Sequence, residues 1–297
     1  MGRKAGNSIM ANLKKQVPEN VPGDFFVDST CIDCDACRQI APAVFGEAAA
    51  TSFVKAQPVS GTDRRQALRA LLACPTGSIG CLGDGDVKAV MQDFPLAVEE
   101  PVYYCGYNSP KSYGGNSYFI QHPSGNWLID SPKFVTPLVK QLEARGGVTH
   151  IFLSHRDDVA DAQRFAEHFG SQRVIHRDEL SSQPGAEVVL DGEGPWELAS
   201  GFLAISTPGH TRGHCVLLHR ERFLFTGDHL DWDRDAQQLS ASEDYCWYSW
   251  PEQAESMARL TNYPFEWVLP GHGQKVHLPA AEMRRQMERL VESMRER

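Results

Sequence analysis

No stretch of this 297-residue chain approaches the run of about 20 apolar residues that crosses a bilayer. No hydrophobic segment of signal-peptide type follows the first residues, where Arg3, Lys4, Lys14 and Lys15 read as a solvated basic tail. Positive charge is scarce: 29 lysines and arginines stand against 38 acids, a formal net charge of -9. A surface of that sign repels phosphate backbones, so nucleic acid is not expected as a partner. Internal repeats and low-complexity tracts are lacking as well. A soluble, cytoplasmic protein is expected, with chain enough for one large or two modest domains.

Cysteine is present in an informative arrangement. Eight of them in a chain without an export signal read as metal or redox ligands before disulfides. "CIDCDACRQIAP" sets Cys31, Cys34 and Cys37 in a C-x2-C-x2-C run, and "LLACPTGSIG" adds Cys74 before Pro75. Thiolates on one tight loop wrap three corners of an iron–sulfur cubane, leaving Cys74 to close the fourth. The position that would serve a second cluster is Ala41, so one cluster is expected. A zinc knuckle is the alternative, although zinc sites usually pair two close dyads. Between these motifs, Ala67, Leu68, Leu71 and Leu72 have the spacing of a helix packed over the cluster. Cys81, Cys105, Cys215 and Cys246 read as buried thiols. Residues 20–85, including the "CPTGSI" ending, resemble the single-cluster bacterial ferredoxins. That resemblance implies an α+β ferredoxin-like domain holding one 4Fe-4S cluster on Cys31, Cys34, Cys37 and Cys74, for one-electron transfer.

Residues 83–102 mix turn residues, charge and prolines, and are read as a linker between domains at 1–90 and 98–297. Beyond it, short apolar strands alternate with helical segments, the pattern of a layered α/β domain. Ligand-type residues stand where strands end: His155 after "IFLS", His210 in "TPGHTRGH", Asp228 in "FTGDHL" and His272 in "LPGHG". With "LIDSP" ahead of them, "TPGHT", "TGD" and "PGHG" resemble the metallo-β-lactamase superfamily in kind and order. The resemblance implies an αββα sandwich of two mixed sheets with helices outside. Its members include thioesterases, nucleases, persulfide dioxygenases and diiron flavoproteins, so the fold does not fix the reaction.

The family's first metal motif, H-x-H-x-D-H, is reduced in "HRDDVA". His155 takes the first position and Asp157 the second histidine, while Val159 and Ala160 replace the last two donors. The resemblance implies a metal on His155, His210 and Asp228, two imidazoles and a carboxylate as in non-haem iron sites. Asp157 would add a second carboxylate, favouring iron or manganese over zinc. His272 has two readings. It completes a weak second site with Asp228 and either Asp157 or Asp158, or it acts beside one metal as acid, base or substrate hydrogen-bonder. One firmly bound metal, iron or zinc, is expected, with a second open.

His214 is a candidate catalytic residue or a packed core imidazole, and His229 is expected to face away from the ligands. Asp130 is expected to orient a ligand or loop, and His168 to lie on the surface. The aromatics Tyr245, Trp247, Tyr248 and Trp250 are assigned to core or domain interface ahead of a substrate wall.

Three functions are compatible with this reading. The leading one is an iron-dependent oxidoreductase whose 4Fe-4S domain supplies electrons to the His/Asp metal site. The second is a thioesterase-like metal-dependent hydrolase with a structural or redox-sensing cluster, and the third an electron carrier or redox sensor. A small-molecule substrate and a redox partner protein that donates electrons are expected. Nothing in the sequence specifies an oligomeric state.

Overall fold

The computed structural model describes residues 9–83 and 86–296. Arg3 and Lys4 of the basic tail lie outside the described residues. No described helix is long and apolar enough to cross a membrane. The chain forms two compact units, one of residues 1–116 with 132–146 and the other of residues 117–131 with 147–297. The segment 83–102 contains a short helix, Val87–Met91, and a strand, Leu96–Glu99, that pairs with Val102–Tyr104.

In the first unit a three-stranded antiparallel sheet sets Ile79–Cys81 between Ile9–Met10 and Phe25–Val27. The helix Gly61–Ala73 starts on a capping box, in which Ser60 and Asp63 satisfy each other's backbone N–H groups. Its apolar stripe, Ala67, Leu68, Leu71 and Leu72, is buried as its spacing predicts. The helix ends at Cys74, so the last of the four candidate cluster cysteines comes from a rigid element.

In the second unit the parallel strands Trp127–Ile129, His150–Phe152, Gln172–His176 and Val188–Leu190 form one sheet, joined antiparallel by Tyr118–Ile120. The other sheet runs Trp196–Ala199, Phe202–Ser206, Cys215–His219, Phe223–Gly227, Trp267–Pro270 and Val276–His277. Facing side chains join the two sheets: Trp127 stacks on Phe202 at 4.4 Å and the Tyr118 hydroxyl donates to the Pro270 carbonyl at 2.9 Å. The helices Trp250–Leu260 and Ala280–Arg295 cover the outer face of the second sheet. Met257, Leu260, Met283 and Met287 pack there with Val216, Leu224 and Val268. The apolar stripe of the last helix is thus spent on its own unit. The strands Trp196–Ala199 and Val276–His277 carry little apolar alternation, and no sequence pattern singles them out.

Candidate metal and cluster sites

Cys31, Cys34, Cys37 and Cys74 line one small cavity with Ser52 and Ile79. Backbone N–H groups already aim at the sulfurs. Cys31 Sγ accepts from Asp33 N at 3.5 Å and Ser52 N at 3.4 Å, and Cys74 Sγ accepts from Ser78 N at 3.3 Å. Burial pushes the Cys34 thiol up to about 12 and the Cys37 thiol higher still. Thiols buried like Cys34 and Cys37 ionise only against a compensating cation, and four sulfurs around one cavity fit an iron–sulfur cluster. Lys133 braces the segment after Cys74, donating from Nζ to the Pro75 carbonyl at 2.6 Å.

The other site is built where strands of both sheets end. His155 follows the strand His150–Phe152, His210 and His214 belong to the loop before Cys215–His219, Asp228 ends Phe223–Gly227, and His272 follows Trp267–Pro270. One oxygen, Asp228 Oδ2, lies 3.5 Å from His155 Nε2, 3.7 Å from His210 Nε2 and 3.8 Å from His272 Nε2. Asp157 flanks one side, its Oδ2 3.6 Å from His210 Nε2 and 3.9 Å from His155 Nε2. Asp158 flanks the other, its Oδ1 3.8 Å from His272 Nε2. These separations are too long for hydrogen bonds. Donors each about 2.1 Å from one ion stand roughly 3.4 Å apart at tetrahedral angles, which is close to what is seen.

The side chains therefore form two lobes, His155 with Asp157 and His210, and His155 with Asp158 and Asp228, which meet at His155 and Asp228. Both carboxylate oxygens of Asp158, which is 1 % exposed, lack a hydrogen-bond partner. So do His155 Nε2, His210 Nε2 and Asp228 Oδ1. A buried carboxylate without donors is expensive unless a cation compensates it. Burial and the neighbouring Asp228 charge drive Asp158 well above the usual carboxylate range. Burial opposes charging of His155, yet Asp228, Asp158 and Asp130 together lift it to about 10. A divalent cation among these side chains would compensate the buried carboxylates.

The supporting bonds fix the imidazole tautomers. His210 Nδ1 faces the Tyr245 carbonyl at 2.5 Å, so it must donate, leaving Nε2 as a free lone pair. The Ser154 hydroxyl donates to Asp130 and accepts from His155 Nδ1 at 2.9 Å, so Nε2 is the nitrogen left to face a metal once its proton is displaced. Asp130 thereby orients His155, and burial pushes its own carboxyl up to about 6. Asp130→Ala is expected to weaken metal binding about 10–100-fold without touching the cluster, as chelator competition would measure.

His214 sits behind the ligands. Its Nε2 accepts from the Asp228 N–H at 3.4 Å and its Nδ1 pairs with Thr207 Oγ1 at 2.9 Å. Its ring stacks on that of His229 at 3.9 Å. Gly227 must be a glycine: a Cβ there would stand 2.6 Å from His214 Nε2 and 2.8 Å from Ser154 Oγ, at a φ of +50°. Gly271 leaves room for carboxylates, since its Cβ would lie 2.5 Å from Asp158 Oδ2. His168 is exposed and distant in role.

Two features escape the sequence reading. Glu179, fully buried, accepts from Arg156 N at 3.2 Å and Gly213 N at 2.7 Å, and so ties the two ligand-bearing loops together. The second is the aromatic segment. Trp250 packs against the core as expected, but Tyr245, Trp247 and Tyr248 are exposed instead.

Residues 27–81 match the family model described as the 4Fe-4S single cluster domain of Ferredoxin I. A structure of DIM-1 metallo-beta-lactamase exposed to ceftazidime shares the fold at a TM-score of 0.51 and 16 % identity. It covers 66 % of this chain and 95 % of that one. The VMB-1 structure gives a TM-score of 0.50 at 17 % identity, with the same coverage. One chain carries a single-cluster ferredoxin domain and a metallo-β-lactamase fold. The thioesterase pkgB of Emericella nidulans is 26 % identical over 185 residues, 59 % of this chain and 51 % of that protein. The chain thus spans about half the length of that curated relative.

Proposed function

We propose that this chain is a metal-dependent oxidoreductase whose ferredoxin domain exchanges electrons with a carboxylate-rich iron centre. The observation that carries this reading is Asp228 Oδ2 at 3.5–3.8 Å from three imidazole nitrogens, with Asp157 and Asp158 on either side. Three carboxylates among three imidazoles are hard donors, which favour iron or manganese over zinc. His155, His210, Asp157 and Asp228 would hold one ion, and Asp158, His272 and Asp228 a second.

When bound, iron supplies a Lewis acid that changes oxidation state one electron at a time, which zinc does not. The chain's residues do the rest. The Tyr245 carbonyl and Ser154 keep His210 and His155 in the tautomer whose Nε2 faces the metal. His214 anchors the backbone of Asp228 as a positioning residue. Asp157 is half exposed, which leaves its lobe as the side a small substrate enters; dioxygen, a nitrogen oxide, a sulfur species or a small organic molecule would suit it.

Metal analysis with Mössbauer spectroscopy on protein purified without oxygen tests this. Cluster iron plus about two further irons per chain is expected. Stoichiometric zinc in their place would transfer the reading to a hydrolase, in which a metal-bound water is activated and the cluster is structural. The likeness to a thioesterase favours that second reading. Cluster iron alone would leave an electron carrier.

A further inference from the structure

We infer that loop 243–249 is a recognition shelf for an uncharged planar ring of the substrate, placed beside the metal centre. The inference rests on the metal-centre reading above. Among the described residues seven large hydrophobic side chains are exposed, and three of them fall within four consecutive positions of this loop. Tyr245 is 65 % exposed, Trp247 60 % and Tyr248 45 %. Aromatic surface left in water is unfavourable, and a cluster of it usually marks a contact the folded chain has yet to make.

The loop is joined to a metal ligand by its backbone. Besides the Tyr245 carbonyl on His210 Nδ1, Trp247 N donates to the His210 carbonyl at 3.0 Å. Tyr248 N and Ser249 N both donate to the Gly209 carbonyl, and the Cys246 thiol lies 3.1 Å from the same oxygen. Ser249 then caps the helix Trp250–Leu260 through Glu252 N. The rings are thus held by bonded backbone at both ends, so little ordering cost is left for binding. The Trp247 ring lies 6.1 Å from that of His210 and meets Tyr245 edge-to-face at 6.2 Å and 82°. Two aromatic faces at a right angle accept one planar ring by stacking and edge contact together.

Charge narrows the class. Glu243, Asp244 and Glu252 are exposed on the same segment, and residues 241–258 contain no lysine, arginine or histidine. An anionic tail is repelled there, whereas a neutral ring keeps the full apolar contact.

Hydroxamates test the shelf without knowledge of the reaction, because the head chelates the metal whatever chemistry follows. Benzohydroxamate and acetohydroxamate are titrated into the metal-loaded full-length chain and followed by absorption of the metal complex. Benzohydroxamate is expected to bind about tenfold tighter. In Trp247→Ala and in the double variant Trp247→Ala/Tyr248→Ala that preference should fall to within about twofold, with acetohydroxamate affinity and metal content unchanged. Equal binding of the two probes to the unaltered chain, or a preference that survives in both variants, overturns the shelf. Failure of both probes to bind removes the metal-centre reading itself.

Discussion

Asp228→Ala is expected to strip both non-cluster metals from the chain while leaving the cluster intact. Asp228 Oδ2 is the only atom within 3.8 Å of all three Nε2 donors among the described contacts, so its loss opens both lobes at once. Removing one member of a buried charged set costs about 3–5 kcal/mol, some 10²–10⁴-fold in affinity for each lobe. His272→Ala should behave differently. It takes a donor only from the Asp158 side, so about half of the non-cluster iron should remain. Asp228→Asn keeps the volume and one oxygen donor but loses the charge, and should fall between the two. Metal analysis on the three variants, purified side by side without oxygen, checks the order. Retention of one firmly bound metal in Asp228→Ala would mean that His155, His210 and Asp157 suffice, and the shared-ligand description would fall.

The candidate ligands readable from the sequence are those carried by strand ends. His155, His210, Asp228 and His272 each follow an apolar run, and a strand end fixes its next residue in space. Asp158 is harder to read for a geometric reason. A family motif counted by position puts it at a variable place between two donor positions. The chain instead makes a 3-10 turn at Arg156–Asp158, and about 120° per residue turns Asp157 and Asp158 toward different lobes. Buried Asp158 thus supplies a carboxylate on the side where Val159 and Ala160 bring none. Glu179 gives no local signal, since its partners Arg156 and Gly213 are 23 and 34 residues away. The exposed aromatics read as core because composition records hydrophobicity and not direction. Only the backbone bonds to Gly209 and His210 decide which way that loop turns its rings.

Cys37→Ala separates the two leading functions. Cys37 is buried at the first turn of the helix Ala36–Ile40, and its thiolate has no substitute within the cavity of Cys31, Cys34 and Cys74. The variant is expected to lose cluster iron and the cluster's visible absorption, and the first unit should lose stability with it, since bound metal is part of its folding free energy. The donors of the second site all come from residues 147–297, and their supporting bonds stay within the same unit, Asp130 included. Non-cluster metal should therefore stay at the level of the unaltered chain, and that content is the control for folding of the second unit. With the metal retained and the electron supply gone, turnover should drop at least about 10³-fold, a rise near 4 kcal/mol in the effective barrier. A hydrolase would behave otherwise, because a metal-activated water needs no electron and hydrolysis would continue at an undiminished rate. Turnover that survives with full metal content would therefore reassign the cluster to structure or sensing, and the hard donors around Asp228 to water activation.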